Sequence, residues 1–104
     1  MIDQLPLTNA DLAELLARQA DVEAGHRQQA LLTAARRAAF SWPEEAAAMA
    51  AEGRSLTELQ SVGPWVARII HGWLDDPPEP PDPPELRRGF LTLAEARSTM
   101  FVMP

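Results

Sequence analysis

The sequence predicts an all-α fold: a compact bundle of four to five short helices, then a proline-rich linker and a short C-terminal helix. Three observations carry this. Alanine and leucine dominate, strand formers are sparse and tyrosine is absent. Apolar residues recur at spacings of three and four over most of the first 74 positions. Six of the ten prolines are crowded between positions 75 and 85, which divides the chain. An apolar fraction of 46% in 104 residues allows one small domain with a modest core. The expected organisation is a helical domain over 1–74, an acidic proline-rich linker over 75–85, and a C-terminal helical extension or connector over 86–104.

Residues 8–20 open the bundle. Thr8 or Asn9 can cap this helix, and Asp11 falls in its first turn, where a carboxylate is favoured. Leu12, Leu15, Leu16 and Gln19 make the inward stripe. Ile2, Leu5 and Leu7 precede it as an extended lead-in, because Pro6 disfavours helix before it. Asp21 to Gly25 form a bend, and a longer helix runs from Ala24 to Phe40. Leu31, Ala34, Ala35, Ala38 and Ala39 give that helix a small-residue face for a close neighbour, while Arg27, Arg36 and Arg37 project outwards. His26 is read as exposed or locally bonded, and with the distant His71 it forms no ligand cluster. Ser41 is placed to cap a third helix with Pro43 in its first turn and Glu44 at box spacing; that helix stops at Gly53. Trp42 is expected to anchor the core in preference to serving as a stacking platform.

Residues 55–74, SLTELQSVGPWVARIIHGWL, read as a short helix, a tight turn at Ser61-Val62-Gly63-Pro64, and a second helix ending near Trp73. Ser55 and Glu58 have capping-box spacing. Pro64 suits a first helical position, since its missing N–H would be unpaired there in any case. Leu56, Leu59, Val62, Val66, Ile69, Ile70 and Trp73 supply the apolar face. The tract after it, DDPPEPPDPPE, predicts a stiff, solvated polyproline II spacer. Beyond it, Leu86, Phe90, Leu91, Leu93, Ala96 and Met100 mark a short helix with a capping box from Thr92 to Glu95. This piece folds back on the core or belongs to an interface with a following domain.

The formal charge is −6, the wrong sign for an obvious nucleic-acid binder. Its distribution matters more. Residues 75–104 hold six acids against three arginines, whereas residues 24–74 hold four acids against five arginines, so the helical centre is close to neutral. All nine basic residues are arginine. No apolar run approaches a membrane-spanning length, the N-terminus lacks signal-peptide features, and a cytoplasmic location with no membrane partner is expected. Cysteine is absent, which removes disulfide and thiol chemistry.

Leu59-Gln60-Ser61-Val62-Gly63 follows a hydrophobic-x-Gly-hydrophobic-Gly pattern with serine at the first glycine, and Ala67 stands at a small position inside the second helix. The stretch resembles a helix-hairpin-helix, a module whose turn brings backbone amides at a helix N-terminus up to a DNA phosphate. The physical basis is that such amides lack partners within the helix and attract anions. Upstream, Ala34-Ala35-Arg36-Arg37-Ala38-Ala39, the helix begun by Trp42-Pro43, and Gly53-Arg54-Ser55-Leu56-Thr57-Glu58-Leu59 extend the likeness over about residues 9–74. In this order they resemble the N-terminal helical domain of family X DNA polymerases and the leader of PHP-type phosphoesterases. Pro84 to Phe90 with Leu93 to Ala96 also look like the connector before the next domain in such proteins.

The resemblance implies a DNA-backbone site at Ser61, Gly63, Trp65, Val66 and Arg68, with Arg54, Arg36 and Arg37 as auxiliaries. It further implies a monovalent cation held by the carbonyls of Leu59 and Val62. Trp65 is open to either core burial or contact with a sugar or base. Some family members cleave deoxyribose phosphate through a lysine Schiff base, with further lysines and a histidine in a 5′-phosphate pocket. Those positions fall here at Ile69 for the nucleophile, Trp65 and Leu31 for the other lysines, and Ala30 for the histidine. A chain without lysine has no side-chain amine for this chemistry, and arginine stays protonated. The expected protein is therefore not an enzyme, has no cofactor, and binds DNA weakly and without sequence preference. The alternative is a degenerate structural or protein-interaction domain that positions a PHP-type domain.

Overall fold

The computed structural model describes residues 7–78 and 92–94. Within them four α-helices follow one another: α1 (Asn9–Val22), α2 (His26–Ala39), α3 (Ala46–Ala51) and α4 (Pro64–Asp75), with a single 3-10 turn, Leu56–Glu58, between α3 and α4. No strand occurs among the described residues, so the all-α class stands. The expectations for Ile2 and Leu5, for the linker past Pro78, and for the C-terminal helix apart from 92–94 lie outside the described residues.

Helices α1 and α2 form a helical hairpin and pack along most of their length. The α1 stripe Leu12, Leu15 and Leu16 is fully inward, with Leu7 buried beneath its start. The α2 row is Leu32, Ala35 and Ala39, which turns Leu31 and Ala34 outwards in place of the expected face. The helix begins at His26, two residues later than expected, with Gly25 extended before it. Trp42, Met49, Leu56, Leu59, Val62, Val66 and Ile70 complete one continuous core.

The ends of the helices explain the connections. Thr8 caps α1 through its hydroxyl on Asp11 N–H, and the Asp11 carboxylate accepts from Thr8 N–H in return. Asn9 does something else. Its side-chain oxygen accepts from Ala46 N–H at 2.9 Å, its amide donates to Glu44 O at 2.8 Å, and its own backbone N–H donates to the Glu45 carboxylate at 2.8 Å. Each of α1 and α3 thus satisfies backbone groups at the other's N-terminus, and Asn9 is completely buried in doing so.

Ser41 does not begin α3. Its N–H and that of Trp42 bond back to Ala38 O and Ala39 O, finishing α2, and α3 starts only where Asn9 can cap it. The α3 end is as predicted at Gly53, whose φ of 77° lets Arg54 N–H reach Met49 O and Gly53 N–H reach Ala50 O. Residues 92–94 return to the bundle: Thr92 and Ala94 are buried, and Leu93 N–H donates to Phe40 O at 2.8 Å at the end of α2.

Asn9→Ala would strip the buried Ala46 N–H of its acceptor and remove the amide donor to Glu44 O. We expect a loss of about 2–3 kcal/mol in urea denaturation, larger than for an exposed cap. A change below about 1 kcal/mol would show that α1 and α3 do not depend on this link.

Candidate phosphate-binding turn

The segment from Leu56 to Val66 is built by its apolar residues. Leu56, Leu59, Val62 and Val66 are all buried, so the backbone between them must loop out. Ser55 caps the 3-10 turn by accepting from Thr57 N–H at 3.2 Å. The Glu58 carboxylate, expected to complete a capping box, bonds to Arg54 instead, and the first expected helix is reduced to this one turn. Behind the loop, the Trp42 indole N–H donates to Gln60 O at 2.9 Å, and Trp42 is buried as predicted.

Ser61 adopts φ 69°, the left-handed conformation that a glycine takes without cost. The serine therefore stands where the local backbone calls for glycine. Gly63 is the reverse case. Its backbone is extended (φ −88°, ψ −177°), and a Cβ built on it would meet nothing within 4 Å. Neither conformation nor packing requires glycine at 63; what its absent side chain provides is open access to the start of α4.

At that start no side chain caps the helix. Pro64 has no N–H, and the N–H groups of Trp65 and Val66 have no acceptor inside the helix, whose first bond is Ala67 N–H to Gly63 O at 2.9 Å. Arg68 follows within the next turn, exposed and, among the described residues, without a carboxylate partner. Trp65 is half-buried and packs partly on the core. Leu59 and Val62 are buried side chains at the turn; the Leu59 carbonyl already accepts from Val62 N–H at 3.2 Å, and the cation expected on these two carbonyls rests on the resemblance alone.

The first turns of α2 and α4 meet at a pocket of about 290 Å³ lined by Arg27, Gln28, Leu31 and Trp65. Like α4, α2 has no side-chain cap at its N-terminus, so two positive helix ends face the same region. The stretches 24–43 and 59–74 contain no carboxylate at all. Three of the four acids in residues 24–74 are gathered elsewhere: Glu44, Glu58 and Glu52 surround Arg54 at 2.7, 2.7 and 3.6 Å. The hydrogen bonds Arg54 donates to Glu44 and then to Glu58 push its pKa further above its already high value. Arg54 is thus occupied, while Arg36 and Arg37 lie in the last turn of α2, a rise of about 13 Å from Arg27. Ser61, Gly63, Trp65, Val66 and Arg68 thus share the turn and the first turns of α4, whereas Arg54 is engaged by carboxylates and Arg36 and Arg37 stand at the opposite end of α2 from Arg27. Arg27 and Gln28 were not expected at the site; only their position in the α2 first turn, opposite Trp65, reveals them.

No described helix is long and apolar enough to cross a membrane. Comparisons with protein-family models, with curated proteins and with solved structures gave no match.

Because Ser61 carries the strain of a left-handed residue, Ser61→Gly should stabilise the fold. Relief of about 1–2 kcal/mol of strain is offset by glycine's larger unfolded-state entropy, leaving a net gain of about 0.5–1 kcal/mol in chemical denaturation. A loss of stability would mean that the serine side chain contributes something the backbone angle does not reveal.

Proposed function

We propose that this domain is a non-catalytic, sequence-independent DNA-backbone-binding module of the family X polymerase N-terminal type, without lyase chemistry. The observation that carries the reading is the open, uncapped start of α4 at Gly63, next to Arg68, which has no carboxylate partner among the described residues, in a stretch from Leu59 to Leu74 that holds no carboxylate. A backbone phosphate placed there would accept from the Trp65 and Val66 amides and meet the positive end of the helix. Arg68 adds a cation one turn along. The left-handed Ser61 at the first glycine of the expected pattern favours the same reading, as does the meeting of Leu31 and Trp65 in one pocket. Those two positions are where the resemblance sets phosphate-pocket lysines; leucine and tryptophan leave no ammonium there, and Ile69 no nucleophile.

A domain that only positions a PHP-type neighbour is the second reading. The observation in its favour is Arg54, whose guanidinium is held by three carboxylates and has no role left at a phosphate.

Titration of the full chain with fluorescent single-stranded and gapped DNA at about 50 mM salt decides between them. The first reading expects saturable binding in the range of about 1–100 μM that weakens steeply with salt. Arg68→Ala should weaken it severalfold and lower the single-strand salt slope by about 0.7, whereas Arg54→Ala should leave affinity near that of the unaltered chain. No saturable binding below about 100 μM removes the first reading; equal affinity for the Arg68→Ala variant removes that residue's assignment.

A further inference from the structure

We infer that the pocket between α2 and α4 receives one unpaired nucleobase, which makes single-stranded DNA the preferred ligand of the proposed phosphate site. The inference rests on that backbone-binding reading and adds a second contact to it. The pocket's lining combines three things a base uses: the half-buried Trp65 indole for its face, Leu31 for its apolar edge, and the Arg27 guanidinium with the Gln28 amide for its polar edge. Leu31 is a leucine left 40% exposed at this spot while its neighbour Leu32 fills the core, so the wall is open to an incoming group. A volume of about 290 Å³ lies at the small end for ligand pockets and matches a single planar group better than a larger molecule.

Position ties the pocket to the phosphate site. Trp65 contributes its N–H to the start of α4 and its side chain to the pocket wall, so a base stacked on the indole keeps its own phosphate beside the turn. The charge is complementary as well, since neither α2 nor the segment from Leu59 to Leu74 opposes a polyanion with a carboxylate. Bases inside a duplex are stacked and paired, and cannot enter. Another cavity among the described residues, about 350 Å³ beside Leu7, Thr8, Glu45, Ala47, Ala48 and Ala51, offers no comparable chemistry: its wall is almost wholly apolar, and the Glu45 carboxylate is bonded to Asn9.

The test compares two labelled oligomers of equal length and phosphate number, oligothymidylate and an abasic chain of tetrahydrofuran sites, binding the full chain at about 50 mM salt. Stacking of one base predicts a preference of at least about fivefold for oligothymidylate. Trp65→Ala should bring that ratio towards one. Leu31→Ala, at an exposed position, should lower the ratio too and keeps the test readable where Trp65→Ala does not fold. Equal affinity for the two oligomers, or an unchanged ratio in both variants, overturns the base pocket and leaves the phosphate site standing. Failure of both oligomers to bind overturns the phosphate site and the pocket with it.

Discussion

The reciprocal capping of α1 and α3 is the constraint on which the rest of the domain depends. A six-residue helix of alanines and one methionine cannot hold itself together in water, because the cost of nucleating it is spread over too few hydrogen bonds. Asn9 supplies what α3 lacks: a cap at Ala46 and a donor for Glu44 O. Glu45 returns a bond to the first amide of α1. With α3 fixed against α1, its last turn delivers Gly53 and Arg54 to a set place. From there Leu56 and Leu59 can enter the core from the far side. The turn at Ser61 to Gly63 then carries the chain from Leu59 to Val66 with both buried.

The same placement sorts the charges. Arg54, held at the end of α3, draws Glu44, Glu52 and Glu58 around itself and away from the α2 and α4 surface. These contacts are solvent-exposed and contribute little to stability as a pair count. Their effect is on placement: three carboxylates, only partly balanced by one guanidinium, are gathered at Arg54, and Arg27, Arg36, Arg37 and Arg68 remain unopposed by any described carboxylate. A chain of net charge −6 therefore carries a region that a phosphate can approach.

Much of the bundle was legible because its signals were local. Periodicity located α1 and α4, Thr8 with Asp11 announced the first cap, Gly53 the end of α3, and Trp42 the core. What was illegible was set by partners far away in sequence. Ser41, Pro43 and Glu44 spell a good helix start, yet Ser41 is consumed in closing α2, and the real cap comes from Asn9, 37 residues earlier. Leu31 and Leu32 were inseparable by hydrophobicity, and only the direction of the neighbouring α1 makes one inward. At the candidate site the turn residues were readable from their pattern, but the capture of Arg54 by carboxylates and the approach of Arg27 and Gln28 to Trp65 depend on how three elements cross.

Trp42 gives the turn a property of its own. Its indole sits in the middle of the core and holds the carbonyl of Gln60, 18 residues further on, just before the strained Ser61. Loops that carry binding groups commonly open on their own, at a free energy well below that of global unfolding. Here the loop cannot swing away without stripping a buried donor of its acceptor and exposing the largest side chain of the interior. The turn and the bundle therefore form one cooperative unit. The amides of α4 are already oriented before any ligand arrives, and the conformational entropy of arranging them is lost during folding, not during association.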